Sequence, residues 1–105
     1  MASVGVLTAG IAHEINNPVN FVYAGVNSAM RDFSDISHVL NCIKEIDGQQ
    51  TDPLELLEKI VKAKNDFEFD NAYTALMQTL GDIKLGAQRI AEIVQGLRDF
   101  SRSDK

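Results

Sequence analysis

The residues of this chain that could do chemistry lie in one short stretch near its start, Gly10 to Pro18. Ile11 and Ile15 are one helical turn apart and would face a core, so His13 would point to the solvent side of the same helix. Glu14 follows directly and could hydrogen-bond one ring nitrogen, which would fix the tautomer and leave the other nitrogen free. An exposed imidazole that is oriented in this way is a candidate nucleophile.

The helix that carries His13 contains unfavourable residues just below that position. Asn16 and Asn17 are poor interior residues of a helix, and Pro18 costs about 3 kcal/mol there. Residues that disfavour the local secondary structure often lie at functional sites. Asn17 lies four positions after His13 and therefore over the same outer face. We interpret Pro18 as a hinge directly below the candidate nucleophile.

A metal site is not predicted at this stretch. The order His13-Glu14-Ile15-Asn16-Asn17 superficially resembles the zinc protease motif, but Asn17 stands where a second histidine ligand is needed. His38 lies about 37 Å further along the same helix, at about 1.5 Å per residue, and is too distant to supply the missing ligand.

The stretch Leu7 to Pro18, LTAGIAHEINNP, resembles the H-box of two-component sensor histidine kinases. A second stretch, Ala87 to Arg102, is similar to the closing helix of the same dimerisation and histidine-phosphotransfer (HisKA-type) domain. Together they cover roughly a third of the chain in the family's order, and the middle matches only in helical character.

The resemblance implies phosphoryl transfer. His13 would be the phosphoacceptor, attacking the γ-phosphate of ATP that a separate ATP-binding domain presents with Mg²⁺. Glu14 would act as general base or orient the tautomer, and Asn17 would orient groups in phosphotransfer or dephosphorylation. The phosphoryl group would then pass to an aspartate of a response-regulator receiver domain.

The outer face of His13 continues along the helix through four residues, Asn20, Ala24, Asn27 and Arg31. The resemblance makes this face a candidate docking surface for the regulator. The alternative, that this face is ordinary solvated surface without a docking role, stays open.

Two long helices are predicted to position the site, so the fold is expected to be all-α. Apolar residues spaced three and four apart indicate one helix over about residues 2–46 and another over about 70–102. The apolar stripe of the second helix runs from Tyr73 to Leu97 and is wider than one antiparallel neighbour can cover. Two such helical hairpins would bury it by dimerising into an antiparallel four-helix bundle.

The connection between the long helices contains a short extra helix over about residues 53–64. Thr51 or Asp52 would cap its start ahead of Pro53, and Gly48 would end the preceding helix in a left-handed conformation. Residues 65–70 weaken the helical pattern and predict a break or kink.

Composition narrows the class of partner. The 105 residues are 45% hydrophobic and 24% charged, as in one small globular unit. The formal net charge of -5 speaks against nucleic acid as a partner and against direct contact with an anionic membrane. A lone cysteine, Cys42, excludes an internal disulfide and fits a reducing compartment. Without an apolar run of spanning length or a signal peptide, we expect a cytoplasmic domain, whose parent could still be membrane-anchored.

No glycine-rich phosphate loop or nucleotide-binding αβ unit occurs in the sequence. We therefore expect residues 1–105 to form one dimerisation and phosphoacceptor domain of a histidine protein kinase, with no cofactor of its own and no activity alone. ATP and Mg²⁺ would arrive through the missing catalytic domain. Two other classes stay open: a purely structural helical dimerisation module and a monomeric phosphorelay histidine module.

Overall fold

The computed structural model describes residues 2–46, 48 and 52–103, and side chains from residue 9 to residue 102 within those ranges. Helix α1 spans Ala2–Lys44, helix α2 spans Pro53–Asp66 and helix α3 spans Phe69–Ser103. Helices α1 and α3 pack as a hairpin with the short α2 between them, and the described residues contain no strand. The predicted all-α hairpin with an extra helix in its connection is confirmed.

Helix α1 ends two residues before the predicted limit of about 46. The Glu45 N–H still donates to the Asn41 carbonyl at 3.2 Å, whereas the Ile46 N–H donates to Ile43 at 3.1 Å. This tighter final turn satisfies a terminal carbonyl without a left-handed residue. The predicted left-handed cap at Gly48 is therefore wrong, since no described glycine has a positive φ.

Helix α2 begins as its local chemistry predicts. Asp52 is the N-cap, with φ -72° and ψ 120°, and its carboxylate accepts the Leu54 N–H at 3.1 Å. Pro53 occupies the first helical position, where its missing N–H costs nothing. Thr51, the other candidate cap, lies outside the described residues.

The predicted break between residues 65 and 70 is a two-residue turn at Phe67 and Glu68. The Phe67 N–H donates to the Ala63 carbonyl at 3.1 Å and ends α2. Glu68 then adopts φ 47°, the one positive φ among the described non-glycine residues, and its carbonyl accepts the Ala72 N–H at 3.0 Å. A left-handed residue thus separates α2 from α3.

The chain divides into two compact units. One unit comprises Met1–Val26 and Leu80–Lys105, and Gly86 and Ile93 are among its buried residues. The other unit is Asn27–Thr79, which contains α2.

In the Asn27–Thr79 unit the buried side chains include Ile36, Val39 and Ala72. The His38 ring stacks on the Phe67 ring with a centroid distance of 3.8 Å, so α1 contacts the junction of α2 and α3. His38 therefore has a structural partner that is well away in sequence from His13.

Many apolar side chains of both long helices stay exposed. In the unit that holds His13 they include Val19, Tyr23, Val26, Leu80 and Val94, and in the other unit Met30, Phe33, Leu40, Ile43, Tyr73 and Met77. One neighbouring helix covers only one side of each wide stripe, so the other side remains in water. None of the described helices is both long enough and apolar enough to cross a membrane.

Candidate functional site

His13 lies on the solvent side of α1, as the spacing of its neighbours predicts. Ile11 and Ile15 are half-buried, whereas His13 is exposed. The helix is continuous from Ala2 to Lys44, so the backbone holds the imidazole on a regular helical surface. The ring is open to an incoming group.

Glu14 is also exposed, but it does not hold the His13 ring. No hydrogen bond joins the two side chains in the part of the chain that the structure describes. Neighbouring helical positions diverge by about 100°, which turns the carboxylate away from the imidazole. The predicted orienting hydrogen bond is thus not formed in this structure, and a role for Glu14 as general base stays a prediction.

The remaining predicted site residues lie on the outer surface of α1. Asn17 is exposed and Pro18 is half-buried. The four candidate docking residues are all exposed: Asn20 and Ala24 in one unit, Asn27 and Arg31 in the other. Their exposure suits a docking surface and a solvated surface equally, so the two alternatives stay open.

Gly86 of α3, which sequence reasoning missed, is buried against α1. A Cβ atom at this position would lie 2.7 Å from Val22 Cγ2, 3.3 Å from Phe21 Cδ1 and 3.6 Å from the Pro18 carbonyl oxygen. A side chain at this position would therefore force Val22 or the helices to shift. The available signal was a glycine inside an otherwise strong helical pattern.

A groove opens between α1 and α3 in the unit that contains His13. It encloses about 290 Å³ and is lined from α1 by Ile11 and Glu14. Arg89, Glu92 and Ile93 of α3 are among the residues on its other wall. His13, the sequence neighbour of Glu14, is not among the residues that line this groove.

Replacing Gly86 with leucine is expected to destabilise the chain by about 1–3 kcal/mol, because the new side chain overpacks the contact with Val22 and Phe21. Gly81→Leu is the matched control: no atom lies within 4 Å of its added Cβ, and leucine improves helix propensity by up to about 1 kcal/mol. The stability of both variants is measured by urea unfolding, monitored by circular dichroism. Equal midpoints for the two variants would show that the close approach at Gly86 has no energetic consequence.

Replacing Pro18 with alanine is expected to stabilise the folded chain by up to about 3 kcal/mol, the cost of proline inside a helix. Proline lacks the N–H that would bond to the Glu14 carbonyl, so alanine restores one helical hydrogen bond. The hinge at Pro18 stays a prediction from the sequence, and in the kinase that the resemblance implies, Pro18→Ala should also shift the balance among autophosphorylation, transfer and dephosphorylation.

Thermal melting and the three reaction rates measure the two effects of Pro18→Ala separately. Asn41→Ala, at an exposed position of the same helix outside the candidate docking surface, is the control, since it raises helix propensity without altering a backbone hydrogen bond. An unchanged melting temperature together with unchanged rate ratios would show that Pro18 is a tolerated kink.

No cluster of three or more histidine, cysteine or acidic side chains that could hold a metal ion occurs within the described residues. Cys42 is a free, half-buried thiol.

Comparison with known proteins finds one similarity over nearly the whole chain. A protein named "Putative sensor protein" from Shewanella frigidimarina (strain NCIMB 400) is 32% identical over 104 residues, which are 96% of this chain. These residues make up 14% of the relative, so the chain spans a small part of that protein's length. No family model matches the chain, and no solved structure matches it.

Proposed function

We propose that this chain is the dimerisation and phosphoacceptor domain of a sensor histidine kinase, and that His13 accepts the phosphoryl group. The observation that carries the proposal is the exposed His13 immediately above Asn17 and Pro18, two unfavourable residues in an otherwise regular helix. The relative is named a sensor protein, which supports a role of this chain in sensing. The stretch from Leu7 to Pro18 resembles the H-box, and this resemblance implies that the reaction is phosphoryl transfer to histidine.

In the proposed reaction a nitrogen of the His13 ring attacks the γ-phosphorus of ATP. The new N–P bond forms as the bond between that phosphorus and the β,γ-bridging oxygen breaks, and ADP leaves. The proton on the other ring nitrogen passes to a base, for which Glu14 is the nearest carboxylate in sequence. ATP and Mg²⁺ are supplied by a separate catalytic domain, and this chain contributes the nucleophile and its position.

The second half of the reaction passes the phosphoryl group to an aspartate of a response-regulator receiver domain. The N–P bond then breaks as an aspartyl O–P bond forms. Asn17 lies about one turn from His13 on the exposed surface, and its proposed role is to orient the attacking group or a water molecule. The exposed face from Asn20 to Arg31 is the proposed regulator contact.

The exposed apolar side chains support a homodimer. Tyr23 is 70% exposed and Met30 is 67% exposed, and several valine, leucine and phenylalanine side chains continue the same pattern. A second copy packed against these residues would complete an antiparallel four-helix bundle and remove them from water. We propose that the dimer acts in the cytoplasm, without nucleic acid or membrane contact of its own.

The test is to mix the chain with a purified ATP-binding domain of a sensor kinase and ATP labelled in its γ-phosphate. Acid-labile label on the chain is the expected result. The absence of label would favour the purely structural dimerisation module. Label on a chain that has the mass of one copy in solution would favour the monomeric phosphorelay module instead.

A further inference from the structure

We propose that helix α2 has two packing positions. One is the bent arrangement described above, in which the left-handed residue Glu68 separates α2 from α3. In the other, Glu68 adopts right-handed helical angles, and α2 and α3 form one straight helix. The proposal concerns the Asn27–Thr79 unit alone and does not depend on the role of His13.

The first observation is the backbone conformation at the junction of the two helices. Glu68 has φ 47°, a conformation that residues with a Cβ atom disfavour. Helical hydrogen bonds are already present on both sides of it, from the Phe67 N–H to the Ala63 carbonyl and from the Ala72 N–H to the Glu68 carbonyl. Helical angles at Phe67 and Glu68 would therefore join α2 to α3 and relieve the strained conformation.

The second observation is that α2 has two apolar sides. Its covered side holds four half-buried residues, Leu56, Ile60, Ala63 and Phe67. Its uncovered side holds three residues that are 64%, 56% and 47% exposed, Leu54, Leu57 and Val61. A surface depression of about 460 Å³ includes Leu57 and Val61, and its described lining comes from α2 alone. The bent position thus leaves one apolar side of α2 without cover from the described residues of the other helices.

The third observation is the register of that uncovered side with α3. Leu54 precedes the buried Ala72 by 18 residues, which make five full turns at about 100° per residue. Val61 precedes Ala72 by 11 residues and would lie within about 20° of it. In a straight helix the uncovered side of α2 would therefore continue the buried side of α3, and Phe67 would turn to solvent.

The fourth observation is an uncovered residue on the buried side of α1. Ile43 follows the buried Ile36 by seven residues and the buried Val39 by four, yet it is 48% exposed. His38 stacks on Phe67, so in an antiparallel hairpin Ile43, five residues after His38, is level with position 62. The straight helix would bring the uncovered side of α2 to Ile43.

The two positions therefore bury different apolar residues of the same helix. The bent position keeps the stack of His38 on Phe67 and leaves Leu57 in water. The straight position covers Leu57 and gives up the stack. A partner that binds only one of the two sides of α2 would shift the equilibrium between the positions, which makes α2 a conformational switch.

The distance between two spin labels distinguishes the two positions. The labels are attached at the exposed positions of Glu55→Cys and Gln78→Cys in a Cys42→Ser chain, with excess unlabelled chain so that distances within one chain are measured. In one straight helix the two positions are 23 residues and about 35 Å apart, at about 1.5 Å per residue. A bend at Glu68 shortens this distance. The wild-type chain should show both distances.

Three substitutions should shift the share of the long distance. Glu68→Gly should lower it about fivefold or more, because glycine adopts the left-handed conformation without a Cβ penalty. Leu57→Ser should also lower it, because serine gains little from burial. Phe67→Ala should raise it, since it removes the stack on His38. Lys59→Ser, at an exposed position outside both apolar sides of α2, is the matched control and should leave it unchanged.

A wild-type chain that shows only the short distance would overturn the proposal, and so would equal shares of the long distance in Leu57→Ser and Lys59→Ser. Light scattering provides a further check. A lower mass of Leu57→Ser with unchanged distances would assign the uncovered side of α2 to an interface between copies and overturn the switch. None of these outcomes bears on phosphoryl transfer to His13, which is tested separately.

Discussion

His13→Gln is expected to abolish transfer of the γ-phosphoryl group of ATP to this chain. Glutamine keeps a polar side chain on the exposed surface of α1 but has no nucleophilic ring nitrogen. Because the nucleophile itself is lost, the residual rate should equal that of a chain without any acceptor. Acid-labile label from γ-labelled ATP, in the presence of an ATP-binding domain, measures the effect.

His38→Gln is the matched control for this substitution. Both histidines lie on α1 and both are exposed, but His38 stacks on Phe67 and has no counterpart of Asn17 and Pro18 after it. The His38→Gln chain should accept label at the wild-type rate. Loss of label in this variant, with label retained in His13→Gln, would reverse the assignment.

Met30→Glu is expected to convert the proposed dimer into single chains. Met30 is 67% exposed in one copy, so a charge there does not disturb the hairpin itself. In the dimer the same position would be buried twice, once in each copy. Losing about 1.5–3 kcal/mol of methionine burial per copy weakens association at least about a hundredfold.

Ala24→Glu provides the control, because it adds the same charge to an exposed position of α1 on the face of His13. Light scattering over a range of concentrations measures the mass. The wild-type chain and the control should give twice 11.6 kDa, and Met30→Glu should give 11.6 kDa. A wild-type mass of 11.6 kDa at every concentration would refute the four-helix bundle.

The features that the sequence predicts well depend on neighbouring residues. Asp52 and Pro53 start α2 through contacts within one turn, which a local pattern can specify. The exposure of His13 follows from Ile11 and Ile15 one turn apart, because helical geometry fixes the opposite face. The resulting order of three helices needs no knowledge of how they pack.

The features that the sequence did not predict depend on which surfaces meet. The stripe from Tyr73 to Leu97 was expected to be wider than one neighbour can cover, and Leu80 and Val94 within it are exposed, whereas Ala72 and Ile93 beside it are buried. Periodicity shows that a helix is amphipathic but does not determine which edge of a wide stripe its neighbour covers. The dimer, if formed, would cover the other edge.

The surroundings of His13 show the same limit. The contact of Gly86 with Val22 and the groove shared by Glu14 and Arg89 join residues far apart in the chain. No spacing rule connects them, since their proximity follows from the packing of α3 on α1. The stretch Leu7 to Pro18 by itself indicates the candidate nucleophile and does not indicate which residues of the second helix pack against it.

The most direct test that His13 is the phosphoacceptor is to locate the phosphoryl group on the chain after incubation with ATP and an ATP-binding domain. The chain, labelled with nitrogen-15 in its histidine rings, should show coupling between phosphorus and one ring nitrogen of His13 only. Phosphorus coupled to the ring of His38, or found on an oxygen of another side chain while His13 stays unmodified, would contradict the proposed function.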